Sequence, residues 1–165
     1  MPTLTQNDCI VIYNDSGTHY LWGDWKVHGG LLILGSLPLA ALETPPYVKG
    51  QFVFTVTGEL VVENNATLEL FPSATLTLTE VYISVKTAPT DANIIVDVNK
   101  NGTTIFTDQG KRPEIVATQT SDTSDTPDVT TLEEDDILTI DVDQIGSTLP
   151  GEDLTVSVRF TQLIV

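Results

Sequence analysis

The sequence has little positive charge. Lys and Arg number 7 against 23 Asp and Glu among 165 residues, so the formal net charge is −16 at neutral pH. Binding to nucleic acid or to anionic lipid depends on clusters of basic side chains that release counterions. The composition therefore argues against nucleic acid and membranes as partners, and it favours cations or a basic protein surface.

Cysteine and long apolar runs are also scarce. Cys9 is the single cysteine, which excludes an intramolecular disulfide framework. Residues 1–8 lack the basic stretch and apolar run of a secretory signal. The longest apolar run, residues 31–42, is about half as long as a bilayer crossing requires. We therefore expect a protein that folds in the cytoplasm and is not secreted.

Catalytic signatures are missing as well. His19 and His28 have no cysteine or carboxylate at a spacing that would suggest zinc or a catalytic dyad. The sequence contains no nucleophile elbow, phosphate-binding loop or dinucleotide fingerprint. It predicts no enzyme, no catalytic residue and no cofactor.

Paired prolines divide the chain. Pro45 and Pro46 exclude both helix and central strand, so they mark a joint between two regions. We predict an N-terminal arm over residues 1–47, with short β pieces such as Cys9–Tyr13 and a turn after them, and a β-sandwich domain over residues 48–165.

The arm holds the densest aromatic stretch of the chain. Tyrosine and tryptophan are enriched in interfaces because they bury a large area at low entropic cost. These side chains either bind a partner or oligomer neighbour, or pack the arm onto its own domain. The candidate partner-binding residues are Tyr13, Tyr20, Trp22 and Trp25.

Beyond the prolines, apolar and polar residues alternate with a period of two, which is typical of strands that bury one face. This predicts an all-β fold, an antiparallel β-sandwich with an extended N-terminal arm. Shorter candidate strands are Glu59–Val62, Thr67–Phe71, Thr75–Thr79, Ile94–Val98, Thr103–Thr107 and Glu114–Ala117, and Thr118–Thr131 is predicted to be an exposed loop. The predicted core residues are Val81, Ile83, Val85, Val96, Leu138, Ile140, Val156 and Val158.

One motif has two interpretations. Asp97, Asn99, Asn101 and Asp108 match the spacing of a calcium loop, but the flanking helices of such loops are missing. Asn101-Gly102 between two β-rich runs is also a strong hairpin signal. We favour the hairpin, with a four-residue turn and a glycine bulge rather than a two-residue turn, and expect no metal site.

A second acidic group comprises Asp135, Asp136, Asp141 and Asp143. Paired carboxylates can act in acid/base or glycosidase chemistry. Alternation places Asp141 and Asp143 on the polar face of a strand, where no apolar pocket would raise a pKa. A solvated face is the favoured interpretation.

Residues 50–161 resemble a domain that is widespread in virion proteins of tailed bacteriophages, including capsid-decorating, tail-fibre and baseplate-associated proteins. The residues that carry the resemblance are 81–106, 111–113, 136–147 and 150–159. Such domains are similar to jelly-roll sandwiches. The resemblance implies a jelly-roll-like fold and a location in the virion after synthesis in the host cytoplasm, and it supplies no active-site residues.

Two functions follow as expectations. The first is a capsid cement or decoration protein, a homotrimer that binds the major capsid protein or another virion protein through its arm. The second is a tail-fibre or receptor-binding module that recognises a host glycan through loops such as Thr118–Thr131, although that loop contains no aromatic residue. The chain has no heptads, collagen-like triplets or internal repeats of the kind that build fibre shafts, which favours the first.

Overall fold

The computed structural model of the chain describes residues 11–14, 17–20 and 47–163. The chain divides into two units, Met1–Ala41 and Leu42–Val165. In the first unit, β1 (Val11–Asn14) pairs with β2 (Gly17–Tyr20) in an antiparallel hairpin in which Asn14 lies opposite Gly17. The remainder of the predicted arm lies outside the described residues.

The second unit contains nine strands and a single 3₁₀ turn, Gln109–Lys111, within residues 47–163. The strands are β3 (Tyr47–Glu59), β4 (Leu76–Ser84), β5 (Ile94–Lys100), β6 (Thr103–Thr104), β7 (Glu114–Ile115), β8 (Ser121–Thr123), β9 (Thr131–Leu132), β10 (Leu138–Gln144) and β11 (Glu152–Leu163). In the part of the chain that the structure describes, no helix is long and apolar enough to cross a membrane.

These strands form two antiparallel sheets. The larger has the order β3-β11-β4-β8, with β9 also paired to β4, and the smaller has the order β10-β5-β6, with β7 also paired to β5. Successive parts of the chain alternate between the sheets, since β4 leads to β5 and β10 leads to β11. The prediction of an all-β antiparallel sandwich is confirmed.

The core lies on the side of the strands that the period of two predicted. All eight predicted core residues are at most 7% exposed, and the large side chains of Phe106, Leu60 and Ile115 complete the core. The opposite faces of the strands carry mainly polar side chains. Burying one face of each sheet removes apolar area from water, which is the dominant favourable contribution to folding.

Strand β4 is one continuous strand, although its alternation of buried and exposed residues changes part-way along it. Leu76 and Leu78 are buried, and further along the strand Val81 and Ile83 are buried, so the inward positions change from even to odd numbers. The pairing with β11 shifts at this point and leaves Thr79 without an opposite residue. Such a β-bulge inserts one residue and resets the alternation. The predicted strand Thr75–Thr79 is therefore the first part of a longer strand.

Two predicted strands are wrong. After β3 ends at Glu59, residues 63–70 run beside β10 and form isolated bridges at Glu63 and Leu70 rather than a continuous strand. Asn65 has φ +54°, a left-handed conformation that interrupts extended structure. Neither Glu59–Val62 nor Thr67–Phe71 is an independent strand.

The predicted exposed loop Thr118–Thr131 is also wrong in part. It contains β8, which pairs with β4, and it ends in the first residue of β9. Ser124 is buried, where its hydroxyl accepts a hydrogen bond from the Val81 amide at 2.9 Å and its own amide donates to the Val81 carbonyl. Backbone pairing and one buried hydroxyl hold this Ser/Thr-rich stretch against the sheet.

The hairpin between β5 and β6 has the two-residue turn, so the favoured four-residue turn is wrong. Lys100 lies opposite Thr103, and the Ile105 amide donates to the Val98 carbonyl. Asn101 and Gly102 have φ +52° and +75°, the left-handed conformations of a type I′ turn, whose twist matches that of the paired strands.

Substitution of a buried residue and of an exposed residue gives a direct test of this packing. Ile140 is fully buried in β10, whereas Val116 is 54% exposed. Ile140→Ala should lower the free energy of unfolding by about 2–5 kcal/mol because it removes buried methylene groups and leaves a cavity. Val116→Ala should change it by less than about 0.5 kcal/mol. Chemical denaturation of both variants checks this, and equal losses would contradict the assigned core.

Candidate functional site

A row of polar side chains lies on the face of the smaller sheet that points away from the core. Asp97 and Asn99 of β5 lie opposite Asp141 and Thr139 of β10 in the strand pairing. We call these four residues the polar row. Asp97 is 7%, Asn99 9% and Thr139 4% exposed, so the outward face of this sheet is largely shielded from solvent.

Hydrogen bonds tie the polar row to neighbouring segments. The Thr104 hydroxyl and the Val98 amide both donate to Oδ1 of Asp97, at 2.8 and 2.7 Å. Asn99 Nδ2 donates to Oδ2 of Asp141 at 2.7 Å, and the Asn65 amide donates to Oδ1 of Asp141 at 2.8 Å. The row thus fastens the β6 hairpin and the segment after β3 to the sheet.

Burial raises the pKa of Asp97 above its usual value, and the nearby Asp143 carboxylate raises it further. The bonds from Thr104 and Val98 and the charge of Arg112 act in the opposite direction. Within the described residues, the Thr139 hydroxyl is buried without a hydrogen-bond partner. Three of the four residues of the row, Asp97, Asn99 and Thr139, are thus among the buried polar residues of the sandwich.

The four residues of the possible calcium loop do not converge. Asp97 and Asn99 belong to the polar row, while the Asn101 side chain lies in the turn, where it donates to Asp136 and accepts from the Ile137 amide. Asp108 precedes the 3₁₀ turn and accepts from the Gly110 amide. In residues 11–14, 17–20 and 47–163, no three His, Cys, Asp or Glu side chains are grouped to hold a metal ion.

The second acidic group is also dispersed. Asp136 pairs with Lys100 at 2.8 Å, and exposed Asp143 pairs with Arg112. Asp135 has φ +65° and lies in the turn before β10. Asp141 is half-buried in the polar row, so the interpretation of a simply solvated face is wrong for Asp141. Local alternation could not reveal this, because Asn65 comes from a distant part of the chain.

Aspartates throughout the sandwich accept hydrogen bonds from backbone amides. Several of these bonds join segments far apart in sequence, such as Asp153 with Gly58 at 2.8 Å and Asp122 with Glu114 at 2.8 Å. A carboxylate that accepts a backbone amide is held in place and satisfies a donor outside the strand ladders. The aspartates that do this are Asp97, Asp108, Asp122, Asp128, Asp136, Asp141 and Asp153.

These contacts stabilise the charged form of several carboxylates. The Lys111 ammonium, followed by the Asp108 amide, lowers the pKa of Asp128 to about 2. The Lys100 ammonium lowers the pKa of Asp136, and the Gly58 amide lowers that of Asp153. Each such group contributes stability above its unfolded pKa that is lost as the pH falls through the folded pKa.

An open cleft of about 550 Å³ lies on the larger sheet beside the bulge in β4. Its polar lining includes Lys49, Gln51, Glu80 and Arg159. Arg159 forms an ion pair with Glu80, and its guanidinium carbon lies 5.3 Å from the centre of the Tyr82 ring. The guanidinium is therefore already engaged by an anion and an aromatic face.

The predicted partner-binding residues fall in the first unit. Tyr13 lies in β1 opposite Thr18, and Tyr20 lies in β2 opposite Val11. Trp22 and Trp25 lie outside the described residues. Their role in binding stays a prediction.

The chain matches no protein-family model and no curated protein sequence.

The hydrogen bonds from the Val98 amide and the Thr104 hydroxyl to Oδ1 of Asp97 lead to a testable prediction. Asn can keep both through its own Oδ1, whereas it has no charge to bury, so Asp97→Asn should be at least as stable as the parent at pH 7. Asp97→Ala leaves the Val98 amide and Thr104 hydroxyl without this acceptor and should cost about 1–3 kcal/mol relative to the Asn variant.

The pH dependence follows from the raised pKa. The folded parent resists ionising Asp97, so it loses stability as the pH rises from the unfolded pKa through the higher folded pKa. The advantage of Asp97→Asn over the parent should therefore be larger at pH 7 than at pH 3.5. Urea unfolding at both pH values measures it, and an advantage that shrinks as the pH rises would refute the assignment.

Proposed function

We propose that the chain is a non-enzymatic structural protein of a tailed-bacteriophage virion, a cement or decoration protein that stabilises the head by binding the major capsid protein. The proposal draws on the resemblance of residues 50–161 to phage virion domains. Its alternative is a tail-fibre or receptor-binding module that recognises a host surface glycan.

The observation that supports a structural role is that most aspartate carboxylates of the sandwich are hydrogen-bonded or ion-paired within the sandwich itself. Seven aspartates of the sandwich accept backbone amides, and two of these, Asp128 and Asp136, also pair with lysine side chains. Asp143 pairs with Arg112. Residues 47–163 contain neither histidine nor cysteine. Carboxylates that are already hydrogen-bonded to backbone amides are poorly placed for proton transfer or nucleophilic attack, because these reactions need a free base or nucleophile near the substrate.

The cement function is favoured over glycan recognition by two features. Residues 118–131 contain no aromatic side chain on which a sugar could stack, and part of this stretch is paired to the sheet as β8. In the open cleft, Arg159 is paired with Glu80. A small sandwich domain is suited to repeated attachment on a large scaffold.

The aromatic residues of the arm are the proposed attachment point. Tyr13, Tyr20, Trp22 and Trp25 form the densest aromatic stretch of the chain and precede the acidic sandwich in sequence. Buried aromatic side chains commonly dominate the binding energy of an interface. We expect the bound form to be a homo-oligomer, with three copies as the expected number.

Truncation of the two tryptophans tests this attachment. Trp22→Ala and Trp25→Ala should each weaken binding to particles stripped of the protein by about 2 kcal/mol or more. Thermal unfolding of each variant should match the parent. Phe71→Ala is the matched control, because Phe71 is 55% exposed on the sandwich and its loss should leave binding unchanged.

Deletion of residues 1–44 tests the same proposal at larger scale. The truncated chain should fold and should no longer remain on the particle in a pull-down. Retention of full binding by the tryptophan variants and the truncated chain would contradict attachment through the arm. Failure of the truncated chain to fold would make the arm part of the domain core.

A further inference from the structure

The turn between β5 and β6 contains an Asn-Gly pair, in which the backbone can attack the asparagine side chain. The nitrogen of the glycine reaches Cγ of the preceding asparagine because glycine has no side chain to obstruct the approach. The pair Asn101-Gly102 occurs once in the chain, and both residues are exposed. A Cβ placed on Gly102 would meet no atom within 4 Å beyond its chain neighbours, so the turn is open to water.

The reaction that this pair can undergo is deamidation. A bond forms between the Gly102 nitrogen and Cγ of Asn101, and the bond from Cγ to Nδ2 breaks. The leaving nitrogen takes the proton of the Gly102 amide and departs as ammonia. Water then opens the five-membered imide at one of its two carbonyl carbons, which leaves aspartate or isoaspartate in place of the asparagine. One water is consumed and one ammonia is released, so no oxidant or cofactor is needed.

The folded turn opposes ring closure. Asn101 and Gly102 have φ +52° and +75°, and ψ is also positive in the left-handed conformation. At such angles the Gly102 nitrogen lies nearly trans to Cβ about the Cα–C bond of Asn101, so it faces away from Cγ. The ring can form only after Asn101 leaves this conformation.

Hydrogen bonds to the segment before β10 hold Asn101 in place. Its side chain donates from Nδ2 to Oδ1 of Asp136 at 2.6 Å and accepts from the Ile137 amide at 2.8 Å. Its own amide donates to the Ile137 carbonyl at 2.8 Å. Asp136 is itself held by Lys100 Nζ at 2.8 Å and by the Glu133 amide at 2.7 Å. Rotation of the Asn101 side chain therefore breaks bonds to a distant part of the chain.

We propose that Asn101 is a deamidation site whose rate is set by local opening of the β5–β6 turn, and that Asp136 keeps this turn closed. Segments of a folded protein open locally at a lower free energy than global unfolding requires. Of the three hydrogen bonds of Asn101, the one to Asp136 has a charged acceptor, and such bonds are stronger than neutral ones. Loss of this bond should therefore favour the open turn.

The product does not fit the closed turn. An aspartate side chain has an oxygen in place of Nδ2, and this oxygen would face the Asp136 carboxylate, so the two like charges would repel. Isoaspartate adds a methylene group to the main chain and disturbs the pairing of Lys100 with Thr103. Deamidation thus converts a transient opening into a permanent one. This inference does not depend on the proposed attachment to a capsid.

Peptide mapping of the full chain measures the reaction. The parent is incubated at mildly alkaline pH, folded or in guanidinium chloride, and its digest is analysed by mass spectrometry for isoaspartate at position 101. The folded chain should react at least about tenfold more slowly than the unfolded chain. Asn65 is an internal control, because it also has φ +54° but precedes Ala66, and it should react more slowly than Asn101 in guanidinium chloride.

Substitution of Asp136 tests its role. Asp136→Ala removes the charged acceptor and should accelerate deamidation of the folded chain about tenfold, with no change in guanidinium chloride. Asp136→Asn keeps an uncharged oxygen acceptor, so its rate should lie between those of the parent and the alanine variant, and it serves if the alanine variant does not fold.

Asp153→Ala is the matched control. Asp153 likewise accepts a backbone amide and contacts a lysine, but it lies in β11 of the other sheet. The rate of this variant should stay within about twofold of the parent, because opening of the β5–β6 turn is local.

Three results would overturn the proposal. Equal rates in the folded and unfolded parent would show that the turn gives no protection. An unchanged rate in both Asp136 variants would show that Asp136 does not keep the turn closed. Acceleration by Asp153→Ala equal to that by Asp136→Ala would show that the reaction proceeds through global unfolding.

Discussion

The two sheets pack through one apolar face of each, and the rest of the sandwich depends on this contact. A strand has a period of two, so fixing which face is buried also fixes which side chains lie outside. The bulge at Thr79 shows how strictly this holds. One extra residue there allows Leu78 and Val81 both to point inward in a single strand. In the other sheet, the register of β10 with β5 sets Thr139 and Asp141 on the outer face.

Aspartate carboxylates hold the connections between the strands in place. Long connections expose backbone amides that no strand ladder satisfies, and aspartate oxygens accept several of them, as Asp141 does for Asn65 and Asp128 for Asp108. This use explains how so acidic a chain maintains ordered loops. It also creates opposite pH responses, because Asp128 favours folding more as it ionises while buried Asp97 resists ionisation.

The core and the long strands could be predicted from the sequence because many residues repeat one pattern. Strands as short as β8 and β9 could not, since two or three residues show no period and their pairing is set by the edge of a longer strand. The turn at Asn101-Gly102 was ambiguous because both residues accept left-handed conformations, so its length depended on how Ile105 meets Val98. The polar row combined Asp97 and Asn99 with Asp141, whose burial depends on the distant Asn65.

We propose that a sandwich whose carboxylates mostly hold its own segments in place is attached to its partner through an aromatic arm. A protein of this kind acts through position and number rather than through chemistry. On this proposal, the number of copies in the particle should follow the symmetry of the scaffold, because a capsid lattice repeats its binding surface many times and a tail structure does so only a few times.

The number of copies per virion therefore tests the account most directly. Quantitative mass spectrometry of purified particles, with the major capsid protein as internal standard, measures it. The account predicts on the order of hundreds of copies, in a fixed ratio to the major capsid protein. About a dozen copies or fewer, in proportion to tail proteins instead, would contradict a role on the capsid.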